Sequence, residues 1–296
     1  SLQQINFTAK SGQLASFYLL DGKFEKLLLV GLGEPQNLSI DGLRKAAALG
    51  TRASIGTKGK LGILLPWEKF DQASAAKAVA EATRLSIFKD LRFRSKHDPQ
   101  IAPSKIELIG INKVDGRVID EVGYICSGVE LARELVGAPP NYLTPTALAE
   151  EAAQIAHEYD LELTVLGRDE CTKKGMGAYL AVCQGSDLEP KFIHLCYRSK
   201  KPIQRKSALI GKGLTFDSGG YNLKVGGAQI DMMKFDMGGS AAVLGAARAI
   251  AELRPTGIEA HFIVAACENM INGSAVHPGD IVKASNGTTI EINNTD

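Results

Sequence analysis

The chain has 296 residues, of which 45% are apolar and 23% are charged, and its formal net charge is +1. This composition is that of an ordinary soluble globular protein with enough length for two domains, each able to bury its own core. The near-neutral charge does not favour a surface for nucleic acid or acidic membranes. No apolar run approaches the roughly 20 residues that span a bilayer. Five scattered cysteines without a C-x-x-C pair indicate reduced thiols rather than a disulfide framework or a cysteine zinc site.

The first part of the chain alternates strand and helix patterns. The predicted strands cover residues 5–10, 16–20, 26–30, 61–66 and 106–111, and the predicted helices cover residues 39–50 and 71–89. This alternation predicts an α/β domain over residues 1–115.

Residues 116–137 have the apolar spacing of one helical face and predict a linker helix. The helix is expected to end at Gly137, because Pro139 and Pro140 prevent its continuation. We place the domain junction here, and the second domain over residues 138–296.

The second domain also alternates helix and strand. A helix is predicted from residue 146 to about 157, and another over 241–253. Strands are predicted at 162–166, 192–196, 208–210 and 259–266, followed by a hairpin of 281–284 and 288–292 around Asn286-Gly287. The fold class is therefore α/β throughout.

A glycine-rich stretch, residues 211–239, connects the strand at 208–210 to the helix at 241–253. It carries Lys212, Asp217, Lys224 and Asp236, while Asp231 and Lys234 are interpreted as solvated loop charges. Charge is costly to bury unless it is paired or bound to metal, so the stretch indicates a functional site.

Two other chemistries fit the glycines and serines poorly. Gly211-Lys212-Gly213 follows a strand, but a Walker loop needs Ser or Thr where Gly213 stands. Ser218 lies in Asp-Ser-Gly-Gly, yet a hydrolase elbow would need Gly where Phe216 stands. A serine mechanism is thus the weaker alternative.

Carboxylates and lysines in this stretch suit peptide-bond hydrolysis. Asp217, Asp236 and Asp296 could supply oxygen ligands to paired divalent ions, although loop or helix-capping roles explain such residues equally well. Lys212 and Lys224 favour the metal site. A neutral amine can bind a cation, a protonated one can stabilise an oxyanion, and both segments are expected to run through a packed interior.

The residues are specific enough to identify a family. The chain resembles the leucyl aminopeptidase family, the cytosol aminopeptidases, over roughly residues 117–296. The matching segments are residues 133–145, 211–220, 222–224, 233–239, 268–270, 278–280 and Asn294-Thr295-Asp296.

This resemblance implies a fold and an activity. The fold would be an amino-terminal α/β domain joined by a helix to an aminopeptidase domain with a mixed central sheet. The activity would be release of amino-terminal, often leucine-like, residues from peptides through attack of a bridging metal hydroxide. It also implies a homohexamer. The scattered, reduced cysteines indicate the cytoplasm, or an organelle stroma if a transit peptide was removed. Neither nucleic acid nor a membrane is implied as a partner.

The resemblance also implies residue roles around two divalent ions per subunit, zinc with manganese or magnesium at the exchangeable position. Lys212 and Asp236 resemble ligands of one ion, Asp217 the bridge between the two, and Asp296 a ligand of the other. Lys224 resembles the electrophile facing the scissile carbonyl. Met233 resembles a wall of the pocket for the first side chain.

Two departures from the family pattern bear on these roles. The segment between Lys224 and Asp236 is one residue longer than in many members. The chain also ends at Asp296, inside the motif that usually continues to a Glu ligand and an Arg that would hold bicarbonate. We therefore expect a longer protein with Glu two and Arg four positions beyond Asp296. The alternatives are an inactive truncated fragment and a non-enzymatic, metal-binding or chaperone-like scaffold that retains the fold.

Overall fold

The structure, a computed structural model, describes residues 6–19, 23–96, 101–111 and 114–296. The chain divides into two compact units, Ser1–Cys126 and Ser127–Asp296. The division falls inside helix α3 (Gly116–Gly137), which is the segment that the sequence assigns to the linker.

In its described residues, the first unit contains two complete helices, the start of α3 and two small sheets. Its elements are β1 (Leu14–Tyr18), β2 (Lys26–Val30), α1 (Ile40–Ser54), β3 (Lys60–Leu64), α2 (Gln72–Ile87) and β4 (Lys105–Ile109). β1 and β2 pair antiparallel, whereas β3 and β4 pair parallel. Side chains cap both helices: Ser39 accepts the Gly42 N–H at the start of α1, and Asp71 accepts the Ser74 N–H at the start of α2.

One predicted strand in this unit is wrong. Residues 6–10 form no strand, and Ile5 and Leu20, at the ends of two predicted strands, lie outside the described residues. Asn6 and Ala9 have φ angles of 51° and 57°, which is left-handed backbone that cannot continue an extended chain.

The second unit is built around a four-stranded sheet. Its elements after α3 are α4 (Pro145–Tyr159), β5 (Glu162–Leu166), α5 (Arg168–Lys173), α6 (Gly177–Cys183), β6 (Lys191–Arg198), β7 (Arg205–Asp217), α7 (Gly238–Leu253), β8 (Ile258–Asn269), β9 (Ile281–Lys283) and β10 (Thr289–Glu291). The sheet order is β5-β6-β8-β7, with β7 parallel to β8 and the other pairs antiparallel. The expected α/β class with a mixed sheet is confirmed, as is the β9–β10 hairpin.

The core of the second unit lies between one face of this sheet and three helices. Buried residues of β8, including Phe262 and Val264, pack with Leu244 of α7, Leu148 of α4 and Leu135 of α3. None of the helices in the described part of the chain is long and apolar enough to cross a membrane.

Candidate functional site

Strand β7 carries two of the predicted site residues. The sequence predicts this strand only over residues 208–210, but it continues to Asp217, so Lys212 and Asp217 lie on a strand rather than in a loop. The backbone pairs with β8 throughout, with Lys212 opposite Ala265 and Asp217 opposite Asn269. Pairing of backbone groups explains why glycines and charged residues are tolerated in this strand.

A β-bulge brings these two side chains to one face of the sheet. Residues an odd number of positions apart on an uninterrupted strand point to opposite faces. Between Leu214 and Phe216 the register shifts, so Thr215 is an extra residue relative to β8. As a result the Nζ of Lys212 lies 3.9 Å from the Oδ2 of Asp217.

A glycine turn after β7 returns the chain to the same place. Gly219 and Gly220 have φ angles of 89° and 61°, and a Cβ on Gly219 would lie 2.4 Å from the carbonyl oxygen of Asn222. The N–H of Lys224 donates to the Ser218 carbonyl at 2.9 Å. This closed turn places the Nζ of Lys224 3.9 Å from the Oδ2 of Asp217.

The fourth residue, Asp236, reaches the site because α7 starts against β7. A Cβ on Gly211 would lie 2.5 Å from the carbonyl oxygen of Gly239, so only glycine permits this approach of the two backbones. Asp236 ends a short 3₁₀ turn, Ile230–Phe235, just before α7. Its Oδ2 lies 2.8 Å from the Nζ of Lys212.

The segment of residues 294–296 completes the cluster. The amine of Lys224 donates to the carboxylate of Asp296. Thr295 and Asn222 exchange hydrogen bonds, because the Asn222 N–H donates to the Thr295 hydroxyl and the Thr295 N–H donates to the Asn222 side-chain oxygen, both at 2.9 Å. The structure thus brings together five of the predicted site residues at the carboxyl ends of β7 and β8: Lys212, Asp217, Lys224, Asp236 and Asp296.

The two lysines differ in exposure. The side chain of Lys224 is 12% exposed, whereas that of Lys212 is 56% exposed. The segment around Lys212 runs through the interior as expected, since Gly211 and Gly213 are buried, but the Lys212 side chain itself reaches solvent. Among the described strands β7 pairs with β8 alone, and the Lys212 side chain extends beside Asp236.

The cluster shifts the pKa of two of its members. Burial raises the pKa of Asp236, and the neighbouring Asp217 carboxylate raises it further against the opposing effect of Lys212. The carboxylate of Asp296, by hydrogen bonding, raises the pKa of Lys224. The carboxylate of Asp217 therefore stands close enough to Asp236 to disfavour the charged form of Asp236.

The side chains of this cluster supply some of the ligands that a divalent-cation site needs. Among the described residues, no three His, Cys, Asp or Glu side chains lie together as a metal-binding group. The Oδ2 of Asp236 is nevertheless buried without a hydrogen bond of acceptable geometry, although the Lys212 amine lies 2.8 Å away. A buried oxygen of this kind beside a second carboxylate is what a cation would stabilise. The chemistry of the donor set, two carboxylates with an amine, therefore suits a cation.

Ser218 is bound in a way that does not suit a nucleophile. Its hydroxyl is buried, donates to the carbonyl of Asn269 at 2.8 Å and accepts from the Gly220 N–H at 3.2 Å. Its proton is thus held by a backbone carbonyl rather than by a general base. The serine alternative has no support from this geometry.

Met233 lies in the 3₁₀ turn Ile230–Phe235, which directly precedes Asp236. Its carbonyl accepts the Asp236 N–H at 3.3 Å, and its side chain is half-buried. Asp231 is exposed, and the amine of Lys234 lies 4.8 Å from the ring centre of Phe235, outside the charged cluster.

Sequence reasoning assigned no role to Asn269, Thr295 and Asn222, yet all three support the cluster through hydrogen bonds. The sequence evidence for a role of these three residues was weak: each lies inside a segment that resembles the family. Asn269 is the most buried of the three and makes a direct contact with Asp217.

Comparison with known proteins identifies the family of the chain. The profile described as "Cytosol aminopeptidase family, catalytic domain" matches residues 130–296, and that described as "Cytosol aminopeptidase family, N-terminal domain" matches residues 1–97. The chain belongs to the cytosol aminopeptidase family.

Individual relatives extend over the whole chain. A probable cytosol aminopeptidase of Prochlorococcus marinus (strain MIT 9313) is 67% identical over all of this chain and 60% of that protein. One of Synechococcus sp. (strain CC9311) is 60% identical over the same shares. The solved structure of a mutant of tomato leucine aminopeptidase matches with a TM-score of 0.88 at 39% identity, over 99% of this chain and 57% of that one. The chain thus spans about 60% of the length of the curated relatives that it matches.

Proposed function

We propose that the protein containing this chain is a metal-dependent aminopeptidase that releases amino-terminal, often leucine-like, residues from peptides. The observation that carries this proposal is the convergence of Asp217, Asp236 and Asp296 with Lys212 and Lys224 at one end of the mixed sheet. Membership of the cytosol aminopeptidase family and the names of the relatives support the reaction class.

Divalent ions, zinc with manganese or magnesium, would be held by these residues in the proposed roles. Lys212 and Asp236 would bind one ion, Asp217 would bridge, and Asp296 would bind the other. When bound, such ions polarise a peptide carbonyl and activate water at neutral pH. The buried Oδ2 of Asp236, 2.8 Å from the Lys212 amine, and the Oδ2 of Asp217, which faces both amines, supply the negative charge for this.

Lys224 would act on the substrate rather than on a metal. Its side chain is 12% exposed, and the Asp296 carboxylate keeps the amine protonated by raising its pKa. A protonated amine held beside the site can donate a hydrogen bond to the carbonyl oxygen of the scissile bond. The same hydrogen bond strengthens as that oxygen gains negative charge. The closed turn of residues 218–224 fixes the amine before substrate arrives.

The remaining proposals concern substrate and assembly. Met233, half-buried on the turn that leads to Asp236, would form a wall of the pocket for the first side chain of the peptide. The protein would act in the cytoplasm as a homohexamer.

The test is hydrolysis of leucine amide by the full-length gene product with manganese, with and without a chelator. The proposal predicts turnover that the chelator abolishes and that added manganese restores. Binding of manganese without any hydrolysis would instead favour a metal-binding scaffold. Hydrolysis that survives complete removal of metal would contradict the mechanism.

A further inference from the structure

Asn269 ends β8 directly opposite Asp217, the last residue of β7. The residue is 4% exposed, and its side-chain amide uses both of its N–H groups. One hydrogen bond runs from Nδ2 to the Oδ1 of Asp217 at 2.9 Å, and the other runs from Nδ2 to the carbonyl oxygen of Thr295 at 2.8 Å. Because both neighbours are acceptors, the amide orientation is fixed: a flipped amide would set oxygen against oxygen.

These bonds determine which oxygen of Asp217 is available. Its Oδ1 accepts from the amide of Asn269 and from the Gly219 N–H, each at 2.9 Å. Its Oδ2 faces the amines of Lys212 and Lys224, each at 3.9 Å. The amide therefore holds the carboxylate in one rotamer, with the second oxygen directed into the cluster.

The other N–H group of Asn269 fastens the segment that carries Asp296. Thr295, whose carbonyl it binds, also donates its hydroxyl to the Gly219 carbonyl at 2.7 Å and exchanges two hydrogen bonds with Asn222. The turn of residues 218–224 and the segment of residues 294–296 are thus joined around one buried amide.

We propose that Asn269 is the positioning residue that sets the distance between the Asp217 and Asp296 carboxylates, and so prepares the site for a pair of divalent cations. The inference rests on the proposed function, because it assigns those carboxylates to cations. No other residue type of this size donates two hydrogen bonds from one atom to a carboxylate and a carbonyl. A second layer of hydrogen bonds that orients metal ligands typically contributes 10- to 100-fold in metal affinity or activity.

The test uses the full-length gene product and substitutions at two buried positions of the same strand pair. Asn269→Leu keeps the branched shape but removes both hydrogen bonds, and Asn269→Ser is a smaller second variant if the first does not fold. Thr215→Val is the matched control, because Thr215 is 1% exposed and its hydroxyl donates to the Cys267 carbonyl at 3.4 Å rather than to a residue of the cluster. Titration calorimetry with Mn²⁺ measures affinity and the number of sites. Hydrogen exchange on the metal-free proteins measures protection of the Asn222 and Thr295 amides.

A positioning role predicts that Mn²⁺ affinity falls about 10- to 100-fold in Asn269→Leu while Thr215→Val stays near wild type. It also predicts faster exchange of the Asn222 and Thr295 amides in Asn269→Leu alone. Unchanged affinity and exchange in that variant, or equal losses in the Thr215→Val control, would overturn the proposal. Failure of the wild-type protein to bind Mn²⁺ would contradict the proposed function instead, and the exchange data would still decide whether Asn269 joins the two segments.

Discussion

The Nζ of Lys212 lies 3.9 Å from the Oδ2 of Asp217, although the two residues are an odd number of positions apart on one strand. The contact exists because Thr215 is an extra residue relative to β8, which returns Asp217 to the face of Lys212. If β7 had one residue fewer between Lys212 and Asp217, these two side chains would still lie on the same face. The reason is that their partners on β8, Ala265 and Asn269, are an even number of positions apart.

Deletion of Thr215 should therefore leave the cluster assembled. The register of Asp217 with Asn269 stays the same, so we expect Mn²⁺ binding within about tenfold of wild type, with some loss of stability from the missing buried side chain. Deletion of both Leu214 and Thr215 reverses the facing of Asp217 and should abolish binding. Calorimetry with Mn²⁺, alongside circular dichroism for folding, measures both. Loss of binding in a well-folded single deletion would show that the bulge does not set the facing of these residues.

The close approach of β7 and α7 should not tolerate a side chain at Gly211. In Gly211→Ala the new Cβ would lie 2.5 Å from the Gly239 carbonyl oxygen, and overpacking of this kind costs about 1–3 kcal/mol of unfolding free energy. Gly227→Ala is the control, because no atom lies within 4 Å of a Cβ there. Urea denaturation compares the two. Equal stability of both variants would mean that α7 can move away from β7 at little cost.

Substitution of Lys224 should separate catalysis from metal binding. Lys224→Ala is expected to lower kcat about 10²- to 10³-fold, the loss typical for one hydrogen-bond donor to a developing oxyanion, while metal content stays unchanged. Lys234→Ala is the matched control, because that amine lies over the ring of Phe235 and outside the cluster. Steady-state kinetics on leucine amide and elemental analysis give the two quantities. Wild-type turnover in Lys224→Ala would remove this residue from the mechanism.

A pH dependence of stability should arise from Glu259 on β8. A hydrogen bond from Lys206 lowers the pKa of this carboxyl below its ordinary value of 4.5, with further lowering from His261 and Arg198. A lowered pKa in the folded state contributes stability above the ordinary value, and that stability is lost as pH falls through the folded-state pKa. Glu259→Gln should thus reduce the urea midpoint at pH 7, and the difference should disappear in acid.

The exposed Glu162, a second partner of Arg198, provides the control for this effect. Glu162→Gln should change the urea midpoint less at pH 7, because exposed ion pairs contribute little. A Glu259→Gln difference that persists unchanged from neutral pH to well below pH 4.5 would contradict an ionic origin.

Local sequence patterns predicted much of this architecture, because they depend on short-range chemistry. The capping by Ser39, the strand Lys26–Val30 and the hairpin around Asn286-Gly287 agree with the structure. Helices α5 and α6 were not predicted, because each spans fewer than two turns and is too short to show a helical pattern of apolar residues.

The site was predictable in its residues but not in its geometry. The sequence indicated which charges belong together, and the resemblance to the family narrowed their proposed roles. The bulge at Thr215, the exposure of Lys212 and the double hydrogen bond from Asn269 depend on how β7 pairs with β8. Contacts between strands distant in sequence leave no local pattern from which they could have been predicted.

The most direct test of the central claim is the metal content of Asp217→Asn in the full-length gene product, measured by equilibrium dialysis and elemental analysis. This substitution keeps the shape of a residue that is 4% exposed but removes the charge that we assign to both cations. We predict two divalent ions per chain in the wild-type protein and a clear loss of bound metal in Asp217→Asn, with the fold retained by circular dichroism. Full occupancy of both sites in the folded variant would contradict the claim that these side chains converge on a pair of cations.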